Sequence, residues 1–411
     1  MTDRKLPEMG DPESGAAPYV APVTHEIVGA VPTPESVPVV TTGTRIASAV
    51  LPGLGHLLSG VWTRGIVLLF SWGALLGLLF FARSRVFNVR AAGTLDDYVA
   101  VATLVLLLVF VWGYAFYDLT IAPQRRVDKG DSQWRIASRH FKKSKVALAG
   151  LFILLLLYLI ALLAPLIAPY DPIAQRDIVA TSYLKPSAQH WLGTDRFGRD
   201  ILSRILYGAR ISLSIGFIAT LISVTLGTVL GALAGFFGGK IDALLMRFTD
   251  MVLAFPRLVL LIMIVALFSP SVAVIITVLG LTQWPNTTRI VRGDVLSLRE
   301  REFIQAAHAL GMGKARIIFR HLIPNVLAPV IVTATLGIGN TIVLEAGLSF
   351  LGLGVQPPIP SWGNMVADGR DNLLGAWWVA TFPGLTIVLT VLAFNLVGDG
   401  LRDALDPRLR S

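Results

Sequence analysis

Long uncharged stretches alternate with short charged ones along most of this chain. Residues 146–170, 211–239, 325–344 and 372–398 each run without Asp, Glu, Lys or Arg and are bounded by charge. Crossing a hydrocarbon core of ~30 Å takes about 20 helical residues, so each predicts a membrane-spanning helix. A further apolar region, 243–288, is divided by Ser269-Pro270-Ser271 into two spans; the first carries Arg247, Asp250 and Arg257, and the second ends near Arg289. Six core spans result. Upstream, residues 65–82 and 98–117 predict two more. Residues 46–63 are also uncharged or nearly so, but Pro52, Gly53, Gly55 and Gly60 disfavour a continuous helix there. A re-entrant or interfacial segment is expected, and a third extra span only if it crosses.

The division that follows is a disordered tail (1–43), a small membrane hairpin module (44–122), a basic linker (123–145) and a transmembrane domain (146–411). The tail is rich in Pro, Gly, Ser, Thr and acidic residues and has no sustained apolar period. It lacks the basic start and early apolar core of a cleavable signal peptide, so it is expected to be retained.

Orientation follows from where Lys and Arg collect, because such loops stay cytoplasmic. Arg125, Arg126, Lys129, Arg135, Arg139, Lys142, Lys143 and Lys145 precede the first core span, and seven Lys and Arg residues fall between Arg289 and His321. Six spans put both segments and the C-terminus on one side, as the rule requires. Loops 171–210 and 345–371 are then outside. Arg83, Arg85 and Arg90 would also be outside, against the rule. The N-terminus is cytoplasmic if 46–63 does not cross, and outside if it does.

Composition agrees: 54% of the 411 residues are hydrophobic, above the 45–50% of ordinary globular chains. The net charge of +9 sits in loops beside apolar spans, which fits topology and anionic lipid better than nucleic acid. There is no Cys, hence no disulfide or thiolate metal site. The six scattered histidines form no metal or triad motif, and no catalytic residue is proposed. Residues 235–241 approach a phosphate loop but fail at both ends, with Ala234 where Gly is needed and Ile241 where Ser or Thr would hold Mg²⁺. The chain is not expected to hydrolyse ATP or bind a cofactor itself.

Three distant motifs carry more information. In REFIQAAHALGMGKARIIFRHLIPN (301–325), small Ala306 and Ala307 offer one face to another backbone, and Gly311 and Gly313 permit a turn between two short helices. Pro324 opens the next helix. The stretch 190–213 reads HWLGTDRFGRDILSRILYGARISL, and 395–407 reads NLVGDGLRDALDP. Together these resemble the inner-membrane permeases of ATP-binding-cassette importers, over about residues 140–411. The family's loop reads Glu-Ala-Ala, three residues, Gly, nine residues, Ile-x-Leu-Pro. Here Gln305, His321 and Ile323 replace Glu, Ile and Leu. The Arg-His-x-x-Pro-Asn ending of the loop resembles the dipeptide/oligopeptide (peptide/nickel) branch, and the 190–213 stretch and the 395–407 terminus resemble its C-type subunit.

The resemblance implies an all-α integral membrane protein of the cytoplasmic membrane, with a six-helix importer permease core plus two extra N-terminal transmembrane helices, or three. It implies coupling to a separate ATPase through Gln305, Ala306, Ala307, Gly311, Arg316, Arg320, His321 and Pro324. The expected partners are a second, B-type permease, two ATPase subunits that use ATP, an extracytoplasmic solute-binding protein meeting the outer loops, and lipid. Peptides are the first substrate expectation, with nickel chelates and oligosaccharides behind. An ATP-independent channel or secondary transporter is the rival class; it would need coupling groups within the spans. Glu345 ends an uncharged span and is a pathway candidate or a partner for a loop cation. Asp250, Arg247 and Arg257 are expected to pair locally, and Asn340 and Asn395 to bond between helices. Gly227 and Gly231 form a G-x-x-x-G pair, suited equally to packing within the subunit or against a partner permease.

Overall fold

The computed structural model describes residues 41–83, 94–120, 133–175 and 177–405. The tail before residue 41, Arg85, Arg90, Arg125, Arg126, Lys129 and Pro407 lie outside them. Among the described residues there is no strand, only an isolated bridge between Thr194 and Asp200.

The chain begins with α1 (Thr42–Val50), α2 (Leu54–Leu58), α3 (Trp62–Phe81) and α4 (Leu95–Thr120). Thr41 caps α1 by accepting from the Thr44 amide. The segment expected not to cross as one helix is broken at Leu51-Pro52-Gly53, where Gly53 has φ +92°. A Cβ at Gly53 would lie 2.5 Å from the Gly65 carbonyl oxygen, so the missing side chain lets the loop press onto α3. Helices α3 and α4 are long and apolar enough to cross a membrane.

After α5 (Gln133–Lys143) come α6 (Lys145–Ile167), α7 (Ile201–Phe237), α8 (Gly239–Ala254), α9 (Arg257–Ala266) and α10 (Val272–Arg299). Leu104 of α4 is buried with Leu163 and Leu166 of α6, and Arg210 of α7 bonds Asp96 of α4 at 2.7 Å. The N-terminal hairpin is thereby fixed to the following helices.

Several boundaries differ from the hydropathy reading for identifiable reasons. Helix α7 starts at Ile201, ten residues before the uncharged run, because Asp200 caps it and Arg204 is buried in ion pairs. The 243–268 span is instead two helices bent by 85°. Phe255 is extended and Pro256 caps α9, as expected where a proline disfavours helical backbone in the preceding residue. Asp250 pairs with Arg289 at 2.5 Å, not with Arg247 or Arg257. Helix α10 is continuous for 28 residues but turns Thr282, Thr287 and Thr288 into the protein.

The small-residue stripe of α7 lies against α10 of the same chain. Cβ atoms at Gly227, Gly231 and Gly235 would sit 2.6 Å from Thr287 Cβ, 2.6 Å from the Thr288 oxygen and 2.8 Å from Val295 Cβ. This assigns the G-x-x-x-G pair to packing within the subunit. Asn340 and Asn395 are exposed.

The remaining elements are α11 (Glu302–Ala309), α12 (Lys314–Phe350), α13 (Trp362–Gly369) and α14 (Trp378–Leu405). The last begins six residues after the uncharged run does, since Arg370–Asn372 is a separate 3₁₀ turn.

Candidate functional site: the 301–325 loop and the opposite end

Helix α11 presents two faces. Ile304 and Ala307 are buried with Ile317, Ile318 and Leu322 against Val291 and Val295 of α10 and Phe236 of α7. His308 stacks on Phe236, with ring centroids 5.8 Å apart. The opposite face, Phe303, Ala306 and Leu310 at i, i+3 and i+7, is exposed; Leu310 is 76% exposed. Of the two alanines expected to face a partner, only Ala306 is exposed. Ala307 is 4% exposed and belongs to the protein's own core.

Gly311 takes φ +72° and turns the chain. Gly313 has φ −63° and ψ 142°, a conformation open to any residue, and serves as the cap of the next helix. That helix is not short. Lys314–Phe350 is helical over 37 residues, interrupted only by a π turn at Ile318–Leu322. There the Ile323 amide donates to the Ile318 oxygen, five residues back. Pro324 supplies no amide and its ring would clash with the carbonyl four residues earlier; the wider turn accommodates both. Asn325 Nδ2 donates to the His321 oxygen at 2.6 Å. Pro324 thus lies within a continuous rod instead of opening a new helix. Arg316, Phe319 and Arg320 are exposed on its first turns, His321 is half-buried, and Gln305 Nε2 donates to the Glu300 oxygen at 3.2 Å.

Phe303, Leu310 and Phe319 escaped the sequence reading. The signal was there: once Ile304, Ala307, Ile317 and Ile318 are taken as the buried face, three large apolar residues remain on the other.

At the far end of α12, Glu345 is wholly buried. Its Oε1 accepts from Ser349 Oγ at 2.7 Å and Ser361 Oγ at 3.1 Å. Ser361 caps α13, so the carboxylate ties the rod to the proline-containing segment 351–362 and meets protein rather than an open path. Nearby, the G-T-D-R-F-G-R-D stretch folds into a buried ion network. Asp195 accepts from Arg199 Nε at 2.7 Å and from Arg204 Nη1, and both arginines donate to Asp368 of α13 at 3.2 Å. Burial, then the charge of Arg204, pull the Arg199 guanidinium below its ordinary pKa, while Asp195 and Asp368 oppose them. Asp200 caps α7 and bonds His190 Nδ1 at 2.9 Å.

The described residues thus form a helical scaffold long and apolar enough to cross a membrane, with the 301–325 loop packed at one end and a buried ion network at the other. Comparison with known proteins places it more narrowly. Residues 227–411 match the family described as binding-protein-dependent transport system inner membrane component, and 132–186 match the N-terminal transmembrane domain of oligopeptide transport permease C. The chain is 49% identical over 281 residues to a dipeptide transport system permease protein of Alkalihalophilus pseudofirmus, covering 68% of this chain and 91% of that one. It is 41% identical over 282 residues to an oligopeptide transport system permease protein of Bacillus subtilis, covering 69% and 92%. An inward-facing structure of the MetNI methionine ABC transporter superposes with a TM-score of 0.43 at 17% identity, covering 50% of this chain and 98% of that one. The chain belongs to the family of binding-protein-dependent inner-membrane transport permeases. Residues 1–131 lie outside both family matches.

Proposed function

We propose that this chain is the C-type permease subunit of an ATP-driven importer of dipeptides and oligopeptides in the cytoplasmic membrane. It forms half of a translocation pore with a B-type permease. The names of the relatives above support the substrate class. The observation that carries the coupling reading is an exposed apolar and basic face on a loop whose back is the protein's own core. Phe303, Ala306, Leu310 and Phe319 would fill a cleft on a separate ATPase, with Gln305, Arg316 and Arg320 at its rim. Gly311 sets the turn, and Ala307, His321 and Pro324 shape the loop from behind. ATP is bound by the partner ATPases, of which two are expected, and not by this chain. The outer loops receive a solute-binding protein.

Closure of the ATPases would push on α11 and the first turns of α12. Because α12 is continuous for 37 residues, about 55 Å at 1.5 Å per residue, the displacement reaches Glu345 and Ser361 at the other end. Exchange between inward-open and outward-open arrangements then follows as a shift between two packed states.

The test uses the lack of Cys in the chain. Ala309, exposed beside Leu310, is replaced by Cys and treated with a thiol cross-linker in membranes holding the co-expressed ATPase. A specific link whose yield changes with ATP is expected. A residue that reacts from the cytoplasm yet links to no ATPase would return the chain to the channel or secondary-transporter class.

The N-terminal hairpin is assigned a stabilising role, since α4 covers Leu163 and Leu166 of α6. Deletion of residues 1–120 should lower the thermal midpoint of the purified complex while leaving the ATP-dependent cross-link at position 309. Unchanged melting and uptake would remove that assignment.

A further inference from the structure

Arg257 begins α9 where the 239–266 segment bends. Its Nε and Nη2 atoms are sealed from solvent and have no hydrogen-bond partner. It lines a cavity of about 40 Å³ between the α8–α9 break and α10, and Gln283 lines the same cavity. Thr341 Oγ1 donates to Gln283 Oε1 at 3.0 Å, and Gln283 Nε2 is a third buried donor without an acceptor. The other residues of the lining are uncharged.

Helix α9 has 10 residues, so Arg257 lies about 15 Å from its far end. Gln283 follows Val272, the first residue of α10, by roughly 17 Å of helix rise. With the turn at 267–271 at one membrane boundary and both helices along the normal, these distances reach near half of the ~30 Å hydrocarbon thickness. An unpaired guanidinium at that depth costs several kcal/mol, roughly, and ionisable groups held there mark ion or substrate paths.

The cavity selects the ligand. One water needs about 10–15 Å³ measured this way, so the space admits a group of a few heavy atoms and no whole peptide. Arg257 is the one charged residue of the lining and three buried donors there lack a partner, which calls for an anion, and a forked guanidinium matches a carboxylate. The free amides and positive end of α9 point the same way, as at the broken helices of other transporters.

We infer that the Arg257–Gln283 pocket binds a carboxylate at mid-membrane, and that it takes the C-terminal carboxylate of a peptide in transit. This rests on the peptide-importer reading above. The same chemistry has a second source, an acidic side chain of the companion permease, since Leu258, Val259 and Met263 leave the α9 surface apolar and exposed.

Asn286, an exposed residue of the lining, is replaced by Cys in the full complex in nanodiscs, with the other subunits made Cys-free. A sulfonate-bearing methanethiosulfonate should react faster than a trimethylammonium-bearing one by roughly an order of magnitude. Dialanine should slow that reaction and dialanine amide should not. Arg257→Gln should erase the charge preference and the protection. Gln283→Glu, which supplies the carboxylate internally, should erase the protection while the complex still melts as a folded assembly.

Equal rates for the two reagents, or equal protection by dialanine and its amide, overturn the inference. A cysteine that reacts in the isolated subunit and not in the complex assigns the carboxylate to the companion permease and overturns the peptide assignment. Dialanine uptake by the same complex reconstituted in sealed vesicles, with ATP and its binding protein supplied, separates the two failures. Uptake without protection sinks only the pocket, whereas absent uptake sinks the importer reading.

Discussion

Replacing Asp195 with Ala should be among the most damaging single changes in this protein. Its two oxygens receive the backbone amides of Phe197 and Arg199 at 2.8 and 3.0 Å, the Arg199 Nε at 2.7 Å and Arg204. Arg199, Arg204 and Asp195 are each 1–2% exposed. Removal leaves two buried guanidinium groups sharing Asp368, which also holds the half-exposed Arg196 at 3.3 Å. Breaking a buried pair from one side costs about 3–5 kcal/mol. The thermal midpoint of the purified subunit should fall by roughly 10 °C. Asp371→Ala is the control, because its pair with Arg370 is exposed on both sides and such pairs contribute about 0–1 kcal/mol. Melting curves in one detergent decide it, and similar midpoints for both variants would show that the network does not hold this end of the protein together.

The same cluster shows what the sequence disclosed and what it withheld. Its pattern of charges and glycines is readable as a motif, and the helix count follows from uncharged runs. The partners of those charges do not. Asp368 lies 169 residues from Arg199, and no local periodicity joins them. Segment 301–325 was legible as two elements meeting at Gly311, because turn chemistry is local. That the second element continues through Pro324 was not, since a π turn and the Asn325 side chain absorb a proline that ordinarily marks a boundary. Arg257 shows a third limit. Its neighbours in sequence suggested a local pair, but Asp250 is taken by Arg289, and only the tertiary arrangement leaves the guanidinium facing a cavity.

Gly231 and Gly293 should respond to the same substitution with opposite signs. Both lie inside long helices, α7 and α10, so replacing Gly by Ala lowers the backbone entropy lost on folding and should stabilise each by about 0.5–1 kcal/mol. Space decides the outcome. A Cβ at Gly293 meets nothing within 4 Å, and the gain is realised. At Gly231 it would stand 2.6 Å from the Thr288 carbonyl oxygen, 2.9 Å from Val291 Cβ and 3.1 Å from the Arg292 amide nitrogen. Two of those three atoms are backbone of α10, so no rotamer change relieves the contact and the helices must part. Overpacking of this kind costs about 1–3 kcal/mol. The separation also carries Val291 and Val295 away from Phe236 and from Ile304 and Ala307 of the loop helix. Gly231→Leu should therefore abolish folded complex, and Gly231→Ala should lower both its midpoint and the ATP-dependent cross-link from position 309. Gly293→Ala should raise the midpoint with the cross-link intact. If both alanine variants melt alike, α7 and α10 are not in backbone contact at Gly231 in the membrane, and the seat of the 301–325 loop must be built some other way.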